Sequence, residues 1–426
     1  MDRATMDAYT RILREELVCA MGCTEPIAIA YAAALARETL GCLPDTVDLS
    51  VSPNIIKNVK SVVVPHTGGL KGMRAAASAG IIAGDAAAEL EVLAKISPDD
   101  LPAISAFLER ASFSLEPTSG EPVLDIRIRV EAAGHSAYVR IAGAHTNVVR
   151  VERDGEVLVD RPVEQAGGGD QTDRSVLSIE GIVEYADTVA LDEVAEVLER
   201  QISCNTAIAD AGFTEHWGAG IGRVLMDAYG GTVHNRAKAA AAAGSDARMS
   251  GCELPVVINS GSGNQGITAS LPVIVFAREM GVSHELLLRA LVVSNLTTIH
   301  LKTGIGRLSA YCGATSAGCG AGAGICYLHG GKVDEIAHTV VNAVAINSGM
   351  ICDGAKPSCA AKIASAVEAG LLGWQMQVRG EEFFGGDGIV VKGVENTIEA
   401  VGRLARDGMR QTDEEIIRLM IGSPNR

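Results

Sequence analysis

The sequence predicts an α+β protein, mainly α-helical, with a small antiparallel β-sheet subdomain inserted in its N-terminal half. From about residue 190 almost to the end, apolar residues recur at helical spacing. Between residues 124 and 159 the period falls to two: Leu124, Ile126, Ile128 and Val130 alternate with Asp125, Arg127, Arg129 and Glu131, the pattern of a half-buried strand. Composition agrees, because 47% hydrophobic residues with only 4% aromatics and 48 glycines in 426 residues suit helices that pack closely through small side chains. The expected segments are a helical one at 1–95, a small α+β subdomain at 96–190 and a helical domain at 191–426.

Taken in order, residues 4–19 form an amphipathic helix with Tyr9, Ile12, Leu13 and Leu17 on one face, ending at Met21-Gly22-Cys23. Thr24 then caps a second helix, with Glu25 and Pro26 in its first turn, where an acid and a proline are both favoured. Cys23 beside that helix start is expected to be the most acidic cysteine, because unpaired N–H groups and the helix dipole favour a thiolate. Residues 47–51 read as a strand. Asn54, Lys57 and Asn58 follow at helical i, i+3, i+4 spacing and suit a carboxylate as well as they suit a solvated face. A long Ala-rich helix is expected over about 71–95, and after the break at Pro98 to Pro102 come short strands at 124–131, 137–142, 147–152 and 156–159. Asp154-Gly155 makes a hairpin turn there, and His145 sits in a turn between two of the strands. Gln165 to Asp170 reads as a Gly-rich linker.

Within the helical part, Val256 to Ile267 is an exception. An apolar run leads into Ser260-Gly261-Ser262-Gly263-Asn264 and then a helix, so backbone N–H groups at Ser262, Gly263 and Asn264 suit an anion. No Gly-Lys-Ser/Thr ends this loop, which excludes a Walker phosphate loop and leaves a carboxylate as the natural guest.

Charge narrows the partners. Thirty-six basic residues against 52 acidic ones give a net charge of −16 without any basic run, which argues against nucleic acid and anionic membranes. The apolar segments lack the length of a membrane span and Met1 to Thr5 lacks a signal-peptide pattern, so a cytoplasmic protein acting on small molecules is expected. Small-residue helix faces on an acidic chain further suggest a homodimer.

Ten cysteines in a chain of this kind argue against a disulfide framework. Cys312, Cys319 and Cys326 recur every seven residues, but the segment between them reads as one helix; thiols strung over roughly 20 Å of axis cannot share a centre. Cys319 and Cys326 are therefore core residues, whereas Cys312 follows a loop and precedes that helix. Cys352 and Cys359 flank Gly354 and Pro357, which break a helix and make a loop able to fold both thiolates together. Three loop-borne thiolates leave a four-ligand metal centre with one open position, and open positions are for chemistry.

Met21-Gly22-Cys23-Thr24-Glu25-Pro26, Asn54 to Asn58, Gly261 to Gly266, Cys312 and Cys352-x6-Cys359 together resemble the L-cysteine desulfidase family, itself similar to the α chain of iron–sulfur L-serine dehydratases. The likeness covers almost the whole chain. It implies a [4Fe–4S] cluster on Cys312, Cys352 and Cys359 with one open iron, and Cys23 near that iron as base or temporary ligand. The implied reaction is β-elimination of L-cysteine to pyruvate, ammonia and hydrogen sulfide, with L-serine dehydration as the alternative. The iron would bind the substrate's carboxylate and β substituent, and Asn54, Lys57, Asn58, Ser262, Gly263 and Asn264 would hold its charged ends. A non-catalytic iron–sulfur sensor, a helical scaffold and a pyridoxal phosphate lyase built on Lys356 are readings of other classes.

Overall fold

The computed structural model describes residues 1–118, 122–163, 172–306 and 309–422. Its class is α+β, built from a β-rich unit and a larger helical unit with separate hydrophobic cores.

The first helix, α1 (Arg3–Glu16), ends one turn earlier than its sequence pattern suggests. The chain then forms a three-residue strand, β1 (Cys19–Met21), before α2 (Thr24–Leu40). This strand pairs antiparallel with β8 (Pro255–Val257), Cys19 opposite Val257 and Met21 opposite Pro255. That pairing carries Cys23 to the loop that follows β8.

The β-rich unit is a six-stranded sheet in the order β3 (Ser112–Pro117), β2 (Thr46–Val51), β4 (Asp125–Ala132), β5 (His135–Ala142), β6 (Val148–Arg153), β7 (Glu156–Asp160). Ile126, Ile128 and Val130 face inward onto α2, as the alternation requires, and Asp154 and Gly155 take the positive φ values of a tight hairpin. The sheet is mixed rather than wholly antiparallel, because β2 and β3 run parallel. Their crossover supplies α3 (Pro53–Val59), α4 (Gly72–Ala83) and α5 (Leu101–Arg110). The helix expected over 71–95 stops at Ala83: Gly84 turns extended, and a short 3-10 turn with Glu89 at φ 45° follows. One core spans Ile27 to Val151, and the other joins Tyr9 to Ala20 with Leu177 to Ala405. The sequence boundary at 95 thus cuts through a sheet that β2 joins, and α1 packs with the helical unit.

That unit comprises α6 (Ile179–Thr188), α7 (Ala195–Thr214), α8 (Ile221–Tyr229), α9 (Val233–Met249), α10 (Gly263–Met280), α11 (His284–Ile305), α12 (Gly313–Leu328), α13 (Val333–Asn347), α14 (Cys359–Val378), α15 (Val394–Arg403) and α16 (Arg410–Gly422). Small residues make its contacts. A Cβ on Gly318 would lie 2.2 Å from the Ala366 carbonyl, and one on Gly370 would lie 2.1 Å from that of Gly318, so α12 and α14 touch backbone to backbone. Cys319 and Cys326 are buried along α12, as their spacing predicts. Among the described residues no helix is long and apolar enough to cross a membrane. The Gly-rich stretch Gln165 to Asp170 lies outside the described residues.

Candidate functional site

Four helix starts converge on one cavity at the seam between the units. Cys23 caps α2, Ser262 caps α10, Cys312 caps α12 and Ser358 caps α14. The converging amides and dipoles make the cavity an anion trap. It encloses about 120 Å³, and a water-sized sphere takes roughly 10–15 Å³. The space suits a small metabolite.

Cys23, Lys57, Asn58, Ser262, Asn264, Cys312, Cys352 and Cys359 all line this cavity, while Asn54 and Gly263 are not among its lining residues. Cys352 is brought to Cys312 by its own amide, which donates to the Ala310 carbonyl at 2.6 Å, and by the bridge between Tyr311 and Ile351. The two thiols share a hydrogen bond. Backbone amides of Ala314, Gly354 and Lys356 lie in hydrogen-bonding position at the sulfurs of Cys312, Cys352 and Cys359. Donation from Cys312, helped by the charges of Lys57 and Lys302, holds Cys352 down at about 5 against the cost of burial. Its partner Cys312 is correspondingly raised by that hydrogen bond and by burial, and Cys359 is raised by burial. Among the described residues no three His, Cys, Asp or Glu side chains form a group for a single metal ion. A polynuclear cluster asks for something different, one thiolate per iron, and three amide-bonded thiols in one cationic cavity fit that demand.

Cys23 departs from its expected acidity. Burial pushes its thiol well above the ordinary range and the neighbouring Glu25 carboxylate pushes the same way; the Arg248 charge opposes them. The helix start is present, but a buried acid two residues away outweighs it. Cys23 Sγ donates to Glu25 Oε2 at 3.1 Å, and the same carboxylate accepts from Thr24 Oγ1 at 3.1 Å and Asn58 Nδ2 at 3.1 Å, with His145 Nε2 at 4.0 Å. Asn58 is thereby occupied. Lys57 is also engaged, its ammonium 2.6 Å from Asp413 on α16, so the α3 face does not present two free donors to a ligand.

Sequence reasoning missed Arg248, Gln265, Lys302 and Lys362, and took Glu25 for a helix-start acid. Arg248 lies in the last turn of α9, five residues beyond the alanine-rich run Ala239 to Ala243. The others are defined by convergence in space.

Fold and cavity together define the class: an α+β protein with a thiol-lined, cationic cavity at the start of four helices. By sequence the chain belongs to the serine dehydratase alpha chain family, whose profile matches residues 87–418. The matched span contains the three clustered cysteines and the loop before α10, while Cys23 and Glu25 precede it. Over nearly its full length the chain is also similar to UPF0597 proteins. It is 57% identical to one from Desulfitobacterium hafniense (97% of this chain, 96% of the relative) and 50% identical to one from Lachnoclostridium phytofermentans (96% and 98%). A third, from Finegoldia magna, is 48% identical (98% and 100%).

Proposed function

We propose that the cavity eliminates the β substituent of L-cysteine, yielding pyruvate, ammonia and hydrogen sulfide, with a [4Fe–4S] cluster held by Cys312, Cys352 and Cys359. The observation that carries this reading is the meeting of those three thiols with the Cys23–Glu25 pair in one cavity. Such a cluster, when bound with one iron open, supplies Lewis acidity to the leaving group. The remaining work falls to the chain itself.

The helix starts and buried cations favour the carboxylate of an amino acid. Cys23 is the proton acceptor, but its raised affinity for its own proton means that it must first hand that proton to Glu25, whose Oε2 is already its hydrogen-bond partner. The thiolate then takes the α proton. The C–H electron pair becomes the Cα=Cβ bond, the Cβ–S bond breaks, and its pair leaves with sulfur as sulfide. The resulting enamine tautomerises to an imine, which water hydrolyses to pyruvate and ammonium. A homodimer in the cytoplasm completes the proposal.

L-Serine is the second reading, favoured by membership of the serine dehydratase alpha chain family; the same proton route would then release water. Anaerobic reconstitution with iron and sulfide, followed by pyruvate and sulfide assays on both amino acids, decides. Pyruvate with stoichiometric sulfide from L-cysteine is expected, faster turnover of L-serine transfers the assignment, and pyruvate from neither sinks the lyase reading.

A further inference from the structure

Two long polar side chains in the cavity are buried without the partners that burial demands. Arg248, at the end of α9, is 3% exposed, yet among the described residues its guanidinium makes one side-chain hydrogen bond, to Asn264 Oδ1 at 3.1 Å, and Nε has no partner. No carboxylate among the described residues pairs with it, unlike Lys57 with Asp413 and Lys362 with Asp353. Gln265, the chain neighbour of Asn264, is 5% exposed, and its Oε1 is buried without a partner. Leaving such groups unmade is costly, so they point to something that binds there.

The backbone is shaped to keep both in place. Gly263 is the first residue of α10, and a Cβ on it would lie 2.3 Å from Arg248 Nε; Gly313 is the first residue of α12, and a Cβ on it would lie 2.6 Å from Gln265 Cδ. Each helix therefore starts on a glycine that yields its space to one of these side chains. A donor-rich planar cation and a lone carbonyl acceptor, set beside each other, complement the two ends of a zwitterion.

We propose that Arg248 and Gln265 form the receptor for a free α-amino acid, Arg248 taking the carboxylate and Gln265 Oε1 the ammonium. Gly263 and Gly313 are then positioning residues. The inference deepens the lyase reading and rests on it for the site's location; its recognition chemistry is separable from turnover. It also moves the charged ends of the substrate away from Lys57 Nζ and Asn58 Nδ2, which already donate to Asp413 and Glu25.

The test uses ligands with no leaving group. The reconstituted protein is titrated with L-alanine, propionate and ethylamine by ligand-observed NMR. Arg248→Gln is expected to weaken L-alanine and propionate by about ten- to a hundredfold while leaving ethylamine unchanged. Gln265→Leu should weaken L-alanine and ethylamine and spare propionate. Gly263→Ala keeps the charge but displaces Arg248, and should repeat the first pattern even if Arg248→Gln does not fold. L-Alanine affinity within twofold of wild type in the folded variants, or no L-alanine binding to wild type, overturns the proposal. Binding that follows these patterns in a protein that makes no pyruvate sinks the lyase reading alone.

Discussion

Cys23 illustrates how two residues decide a proton's position. Its place at a helix start favours a thiolate by the dipole, worth at most about 1–2 kcal/mol, whereas burial beside a carboxylate costs more and reverses the expectation. The proton therefore stays on sulfur, and in the proposed reaction Glu25 is the group that takes it. Replacing Cys23 by Ala should leave Cys312, Cys352 and Cys359 to bind iron, so the anaerobic absorption band survives while pyruvate formation falls at least about a hundredfold. Glu25→Gln keeps the thiol but removes its acceptor, and kcat should fall by about 10²–10⁴ with the band again intact. Cys352→Ala should lose band and turnover together. An active Cys23→Ala protein would end the base assignment. The thiol itself was legible in the sequence because Met-Gly-Cys-Thr-Glu-Pro marks a helix start, but its acidity was not: Glu25 reads equally as a capping acid or as a buried proton acceptor until Asn58 and His145 are seen around it.

At the scale of elements, the loops around Cys312 and Cys352 were readable because glycine and proline punctuate them, and Cys319 and Cys326 were separable from them by helical reach. What stayed hidden depended on pairings between distant segments, β1 with β8 and β2 with β3, which bring Cys23 to the α10 loop and draw β2 into the sheet. The C-terminal helix was likewise silent, since nothing local marks Asp413 as the partner of a lysine some 356 positions upstream. Lys57 is 1% exposed and Asp413 16%, and Lys60 Nζ donates to the Met420 carbonyl one α3 turn on, so two lysines fasten α16 to α3. Asp413→Asn should cost about 3 kcal/mol in urea unfolding, because it strands a buried ammonium. Lys57→Met combined with Asp413→Asn should recover part of that loss.

A second tie joins three helices through Glu395 in the first turn of α15, which accepts from His300 at 2.6 Å on α11 and from the Ile179 amide at 2.7 Å at the start of α6. Burial pushes this carboxyl up, yet the His300 bond and charge and the Ile179 amide win and hold it below 4.5. A depressed folded value means stability that is present above the unfolded value and lost as pH falls through the folded one. Since Glu395 is 45% exposed, Glu395→Gln should lower Tm at pH 7 by only about 1–2 °C. Scans at decreasing pH should show that gap closing below about pH 4.5; a gap constant down to pH 3 would rule out the linkage.

For the whole molecule, the site's location on a seam sets what a cluster can and cannot contribute. The sheet unit supplies Cys23, Glu25 and Lys57, and the helical unit supplies Arg248, Gln265 and the three clustered cysteines. Each unit has its own core, and the cavity wall is tied by protein groups alone: the Tyr311–Ile351 bridge, the Lys57–Asp413 pair and a small apolar cluster of Cys23, Val62 and Met249. The Cys312 hydrogen bond and the charges of Lys57 and Lys302 also favour the thiolate of Cys352 without iron. Stripping iron with a chelator under anaerobic, reducing conditions should therefore abolish the visible band and pyruvate formation while leaving the far-ultraviolet circular dichroism of the helices unchanged. Restoring iron and sulfide should return both. Contrast this with a small zinc-finger domain, whose fold is its metal affinity and which unfolds without it. If chelation instead melts the helical signal in one step, the cysteines are structural ligands for both units, and fold and chemistry are not separable.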